Sequence, residues 1–90
     1  METKVVNIKI TKDFDVYIGR PSLCGNPYKI GKDGNREQVI DKYRRYFNFM
    51  IETSAVFKEE ILSFKGKRLG CYCKPLPCHG DIIVEYLDAS

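Results

Sequence analysis

The sequence predicts a small α/β domain of about three strands and three helices. Three short segments are rich in β-branched residues or alternate apolar with polar positions, which is typical of strands. Three others have apolar residues at helical spacing. In chain order they run strand, strand, helix, helix, strand, helix, and 90 residues are enough for one domain, residues 1–90.

The first two predicted strands lie close together in the sequence. In "KVVNIKI", Val6, Ile8 and Ile10 alternate with more polar positions, so one face of the strand is half-buried. "FDVYIG" is the second strand. Because only a short polar link separates them, we expect the two strands to be antiparallel neighbours.

The predicted helices have start and stop signals. Asn35 is a candidate N-cap with Gln38 as its capping-box partner, and the second helix is capped near Ser54 and ends at Gly66. "HGDIIVEYLD" is a last short helix. The inward positions are Val39, Ile40, Tyr43, Phe47, Met50 and Ile51 in the first helix, and Ile82, Ile83, Tyr86 and Leu87 in the last.

The third strand, "KRLGCYC", follows two helices, so it should run parallel to the second strand with a right-handed crossover. The result is a Rossmann-like arrangement of two or three layers. Ligands of such sheets sit beyond the carboxyl ends of the strands. The loops at those ends are "GRPSLCGNP" and "CKPLPCHGD", so we expect the unusual residues to converge on one edge.

Composition limits the classes of function. The net charge of +3 with no dense Lys/Arg run gives no strong nucleic-acid signal but is compatible with an anionic ligand. No long apolar run or signal peptide is visible, so we expect no membrane partner and a cytoplasmic location. In the cytosol the four cysteines would stay reduced.

The segment "GCYCKPLPCHGD" contains three cysteines and the histidine, and it has several interpretations. Cys71, Cys73, Cys78 and His79 are the candidate zinc ligands. The C-x-C spacing argues against zinc, because it places two sulfurs roughly 7 Å apart on a strand. We therefore expect no cofactor, with zinc as the alternative.

Other interpretations concern single cysteines. A Cys73–Cys78 bridge would be a redox pair, although the usual C-x2-C spacing is absent. Cys71 is expected to be a buried strand residue. Cys78 follows Pro77 at a predicted helix start, where the dipole favours anions and thiolates.

Anion-binding candidates occur in both loops. Arg20 offers a planar fork for phosphate, and Arg36 stands at a helix start where a bound anion would offset the unfavourable dipole. Asn26 offers an amide to orient the ligand. The full set of predicted ligand-binding residues is Gly19, Arg20, Pro21, Gly25, Asn26, Arg36, His79, Gly80 and Asp81.

From about residue 14 to residue 87 the chain resembles the domain-of-unknown-function 4326 family of phages and bacteria. The shared motifs are VYIGRP, GNP, a charged Arg-Glu helix start, GK-x-LGC-x-C-x-P and PCHGD. Cys24 replaces a bulky apolar residue common in the family, and Tyr72 replaces a tryptophan. The residues in these motifs are Gly19, Arg20, Pro21, Gly25, Asn26, Pro27, Arg36, Cys71, Cys73, Pro75, Cys78, His79, Gly80 and Asp81.

Three functions fit these observations. The first is binding of a phosphate-bearing, nucleotide-like small molecule, as in sequestration of a signalling nucleotide; if the protein is phage-encoded, this would occur in the host cytoplasm. The second is an enzyme, a hydrolase or transferase acting on a nucleotide or its glycosidic bond, with Cys78, His79 or Asp81 as candidate catalytic residues. The third is a zinc-stabilised adaptor that binds a host protein. The oligomeric state stays open.

Overall fold

Three short strands and three helices are present in a computed structural model, which describes residues 3–19, 24–72 and 76–89. Their order is the predicted one, so the α/β prediction is confirmed. The elements are β1 (Lys4–Asn7), β2 (Val16–Tyr17), α1 (Arg36–Thr53), α2 (Ala55–Leu62), β3 (Arg68–Cys71) and α3 (Gly80–Ala89).

The sheet has the strand order β1-β3-β2, and both outer strands are parallel to β3. Val5 and Val16 both have Leu69 as their register partner. The expected parallel pairing of β2 with β3 is confirmed. The expected antiparallel pairing of β1 with β2 is wrong, because β3 lies between them.

The connection from β1 to β2 explains this error. Residues 8–15 do not turn back beside β1 but cross one face of β3. A Cβ atom on Gly70 would lie 2.5 Å from Ile8 Cγ2 and 2.9 Å from Phe14 Cδ2. The missing side chain of Gly70 therefore makes room for the crossing segment on the central strand.

Arg68, the first residue of β3, holds this crossing segment against the sheet through hydrogen bonds and an ion pair. The Arg68 backbone N–H donates to Asp15 Oδ2 at 2.8 Å, and its Nε donates to the same oxygen at 3.3 Å. The guanidinium also pairs with Asp13. Hydrogen bonds from the Arg68 backbone and side chain hold the pKa of Asp15 below its ordinary value.

The lowered pKa gives a pH prediction. Because the folded-state pKa of Asp15 is depressed, its stabilising contribution is present above the unfolded-state pKa and is lost as the pH falls through the folded-state value. The substitution Asp15→Asn should therefore lower the melting temperature at neutral pH and have less effect in acid. Thermal melts of Asp41→Asn, which removes an exposed ion pair with Arg45 on the surface of α1, serve as the control. Equal shifts for Asp15→Asn at both pH values would contradict the prediction.

The helices start at the predicted caps, but α2 ends at Leu62 and not at Gly66 as predicted, because residues 63–66 form turns. The Asn35 side chain accepts from the Gln38 N–H while the Gln38 side chain accepts from the Asn35 N–H, which completes the capping box. The Ser54 side chain caps α2. Within the ranges that the structure describes, no helix is long and apolar enough to cross a membrane.

The helices share one core with one face of the sheet, which gives a two-layer arrangement. Leu69 and Cys71 point to this face, opposite Gly70. The other buried residues of this core are Ile18, Cys24, Tyr43, Phe47, Phe57, Ile61, Phe64, Cys78, Ile82, Ile83 and Leu87. Of the predicted inward positions, Ile40, Met50, Ile51 and Tyr86 are only partly buried at its margin.

Candidate functional site

A pocket of about 540 Å³ opens at the carboxyl ends of β2 and β3. This volume lies within the range of small-molecule sites. Its walls come from four places in the chain: the end of β2, the loop before α1, the first turns of α1, and the described residues at the end of β3 and just before α3. Both loops predicted to converge on one edge of the sheet therefore contribute to the pocket.

The loop before α1 is anchored to that helix by two side chains. The Tyr43 hydroxyl donates to the Cys24 carbonyl at 2.7 Å in the core, and burial raises the pKa of this phenol. Asn26 Nδ2 donates to the Val39 carbonyl at 3.3 Å, and its Oδ1 accepts from the Tyr28 N–H at 2.9 Å. Asn26 thus shapes the pocket by holding the loop.

Arg36 connects two walls of the pocket. It is the first residue of α1, and its Nη1 donates to the Pro77 carbonyl at 3.2 Å. A guanidinium has five N–H groups in a planar fork, so this bond leaves it able to donate to a second acceptor. The sequence predicted Arg36 as an anion contact, and the structure places it on the pocket wall.

His79 is a buried wall residue with a defined orientation. It is 8% exposed, its Nε2 lies 2.8 Å from the Ile18 carbonyl, and its ring meets the Tyr43 ring edge-on. Because a carbonyl only accepts, Nε2 carries the proton. The other ring nitrogen, Nδ1, lies 3.6 Å from the Cys78 sulfur.

Cys78 caps the start of α3. Its backbone N–H donates to Asp81 Oδ2 at 3.1 Å, and its sulfur accepts from the Gly80 N–H at 3.4 Å. Asp81 is therefore a capping residue. Gly80 is required by packing, because a Cβ there would lie 2.7 Å from Ile18 Cδ1 and 2.9 Å from Val5 Cγ2.

The Cys71 and Cys78 sulfurs meet at the floor of the pocket, 3.1 Å apart. Both residues are 1% exposed and both are thiols. The predicted burial of Cys71 is confirmed. In the part of the chain that the structure describes, no group of three or more His, Cys, Asp or Glu residues is arranged to hold a metal ion.

The predicted site residues divide into three groups. Gly25, Gly80 and Asp81 do not line the pocket. Arg20, Pro21 and Cys73 lie outside the described residues, so their roles stay predictions. The residues that the pocket brings together are Gly19, Asn26, Arg36, Cys71, Cys78 and His79.

Sequence reasoning missed most of the apolar and aromatic lining. Tyr17, Tyr28 and Tyr72 all face the pocket, and Lys29 adds a second cation. Tyr17 and Tyr72 form an edge-to-face pair with ring centroids 6.0 Å apart. Their positions in the sequence could have identified them, since each tyrosine lies in or beside a loop already predicted to form part of the site.

The fold and the pocket define a small parallel α/β domain with one helical layer and a ligand-sized cleft at the carboxyl edge of its sheet. The chain belongs to the family described as a domain of unknown function (DUF4326), whose model matches residues 3–89. This confirms the resemblance based on the loop motifs.

Viral proteins are among its relatives. An uncharacterized 12.4 kDa protein from the nrdA-td intergenic region of Enterobacteria phage T4 is 43% identical over 86 residues, which cover 94% of this chain and 77% of the phage protein. The uncharacterized protein R718 of Acanthamoeba polyphaga mimivirus is 32% identical over 94 residues, which cover 84% of this chain and 68% of the mimivirus protein. No solved structure matches the chain significantly.

Proposed function

We propose that this domain binds a phosphate-bearing, nucleotide-like small molecule in the pocket. The observation that carries the proposal is the charge of the pocket wall. Among the described lining residues, Lys29 and Arg36 are the ionised side chains, and none is a carboxylate. A cleft lined by charge of one sign favours ligands of the other sign.

The cationic side of the pocket suits a phosphate. Arg36 lies at the N-terminus of an 18-residue helix, where the backbone dipole adds to the positive potential. Its fork geometry matches two phosphate oxygens. Arg20, outside the described residues, is proposed as a second arginine for the same anion.

The aromatic side suits a base. Tyr72 is 54% exposed and forms its edge-to-face pair with Tyr17 at the pocket wall. Stacking of a base on an aromatic face contributes about 1–3 kcal/mol. Tyr28 is next to Lys29 in the sequence, and both side chains line the pocket. Aromatic and cationic contacts are therefore available within one cleft.

We also propose that the bound molecule is held rather than turned over, as in sequestration of a signalling nucleotide. Asp81, the carboxylate of the PCHGD motif, accepts a hydrogen bond from the Cys78 N–H and does not line the pocket. The described pocket wall therefore lacks the paired carboxylates that glycosidic hydrolysis uses.

A second candidate function is an enzyme that uses Cys78 as a nucleophile. It is favoured by the contact of the Cys78 sulfur with His79 Nδ1, because a thiol beside an imidazole oriented by a third group is a typical activated nucleophile. In that case the Ile18 carbonyl would be the orienting group.

One experiment separates the two candidates. Native mass spectrometry of protein purified from cells reports any retained small molecule, bound zinc and the number of subunits. The protein is then incubated with the retained compound for hours and denatured, and the compound is analysed by chromatography. Intact compound supports sequestration, whereas a cleaved product that disappears in Cys78→Ser supports the enzyme. A stoichiometric zinc with no small molecule would contradict both.

Arg36→Ala should weaken binding of the retained compound by at least about tenfold, or ~1.4 kcal/mol, because the phosphate loses a bidentate partner. Isothermal titration calorimetry measures the change. Arg45→Ala is the matched control, since Arg45 lies on the same helix in an exposed pair with Asp41. Equal losses for the two variants would show that binding depends on net charge and not on the pocket.

A further inference from the structure

The floor of the pocket holds two sulfur atoms that the proposed binding function does not use. Cys71 is the last residue of β3, and Cys78 precedes α3. Their sulfurs are 3.1 Å apart, whereas a disulfide bond is about 2.05 Å long. A movement of about 1 Å would therefore bring them to bonding distance.

We propose that Cys71 and Cys78 are a site of oxidation, at which a peroxide converts the two thiols into a disulfide. Both sulfurs are buried from bulk solvent, but both residues line the pocket. Hydrogen peroxide is little larger than water, so the pocket gives it a route to the sulfurs. This inference concerns the thiols themselves and does not depend on the identity of any ligand.

Cys78 is the attacking sulfur. It accepts a hydrogen bond from the Gly80 N–H at the start of α3, and the helix dipole there favours a negative charge. His79 Nδ1 lies 3.6 Å away and can take the thiol proton. Because Nε2 already donates to the Ile18 carbonyl, the ring that takes this proton becomes imidazolium while keeping its orientation.

The chemistry balances in two steps. In the first, the Cys78 thiolate attacks one peroxide oxygen and the O–O bond breaks. The sulfur is oxidised to a sulfenic acid, and the released hydroxide takes a proton to become water. In the second, the Cys71 sulfur attacks the Cys78 sulfur, the S–O bond breaks, and the hydroxyl leaves as water with the Cys71 proton. Two thiols and one peroxide thus give one disulfide and two waters.

Cys71 is held in position to complete the second step. It pairs with Asn7 in the sheet register, and its carbonyl accepts from the Ile8 N–H at 2.9 Å. The Asp81 carboxylate holds the backbone of Cys78. Since the backbones of both cysteines are fixed, the sulfurs stay close and the sulfenic acid meets its partner before further oxidation.

The test uses hydrogen peroxide as the probe and a Cys73→Ser background, which removes the third cysteine of this segment. The folded protein is treated with one equivalent of peroxide and then unfolded, and the remaining thiols are alkylated. The unfolded protein is digested with chymotrypsin, which cuts after Tyr72. The cut separates Cys71 from Cys78, so a bridge appears in mass spectrometry as two linked peptides that reduction releases.

We expect the linked peptides in the Cys73→Ser background and in Cys73→Ser with Cys24→Ser. Adding Cys71→Ser or Cys78→Ser should remove them, and Cys71→Ser should instead leave Cys78 as sulfenic or sulfinic acid. Tandem mass spectrometry of the oxidised wild type, which needs no variant to fold, should assign the same bridge.

Three results would overturn the inference. One is a wild-type bridge to Cys73 together with no Cys71–Cys78 link in the Cys73→Ser background. Another is alkylation of both thiols when the protein is unfolded after peroxide treatment, which would show that neither had been oxidised. The third is a stoichiometric zinc in the protein as purified whose removal unfolds the chain, because the sulfurs would then be metal ligands.

Discussion

Replacing Phe47 by alanine is expected to lower the free energy of unfolding by about 3–5 kcal/mol, the range for a buried aromatic residue. Phe47 is 1% exposed. Its ring lies 5.6 Å from that of Phe57 in α2 and 5.5 Å from that of Tyr86 in α3. The cavity would therefore open where all three helices meet. Urea denaturation followed by circular dichroism measures the change.

Phe49 provides the matched control on the same helix. It lies two residues further along α1 and is 61% exposed, so Phe49→Ala should change the free energy of unfolding by no more than about 0.5 kcal/mol. Similar losses for the two variants would mean that α1 does not present the face described here to the core.

His79→Ala is expected to have the second largest effect, a loss of about 2–4 kcal/mol in the free energy of unfolding together with weaker ligand binding. The substitution leaves the Ile18 carbonyl without its 2.8 Å donor and opens a space beside Tyr43. It also removes one wall of the pocket. Chemical denaturation gives the first quantity and calorimetric titration with the co-purified compound gives the second.

His79→Gln separates structure from chemistry at this position. A glutamine amide can still donate to the Ile18 carbonyl, but it offers no basic nitrogen to the Cys78 sulfur. We expect His79→Gln to recover much of the stability lost in His79→Ala. A glutamine variant as unstable as the alanine variant would argue against the Ile18 hydrogen bond.

Cys78→Ser should keep binding of the retained compound within about tenfold, or ~1.4 kcal/mol, if the thiol is not needed for affinity.

The helices were predictable because their signals are local. The capping box of Asn35 and Gln38, the Ser54 cap and the periodic apolar positions of α1 all depend on residues within a few turns of one another. The convergence of the two loops was also predictable, since parallel strands separated by helices place their carboxyl ends at one edge.

The position of β1 was not predictable by the same reasoning. A short polar link normally means a hairpin, and the evidence against it here is Gly70, distant in the sequence, which leaves space for Ile8 and Phe14 above β3. The roles of Gly80 and Asp81 were missed for a related reason. Both lie in a ligand-like motif, but their contacts with Ile18, Val5 and Cys78 exist only in the folded chain.

The central position of β3 has a consequence for how the chain folds. β1 and β2 bond to β3 and not to each other, and β3 follows both helices of the crossover in the sequence. On the ribosome, neither outer strand can find its partner until the segment containing Arg68 has emerged. The sheet must therefore assemble late, from contacts distant along the chain, and such topologies fold more slowly than local ones. Local helix formation in α1 and α2 is free to come first, and docking of β3 then establishes the pocket edge and the sheet in one event.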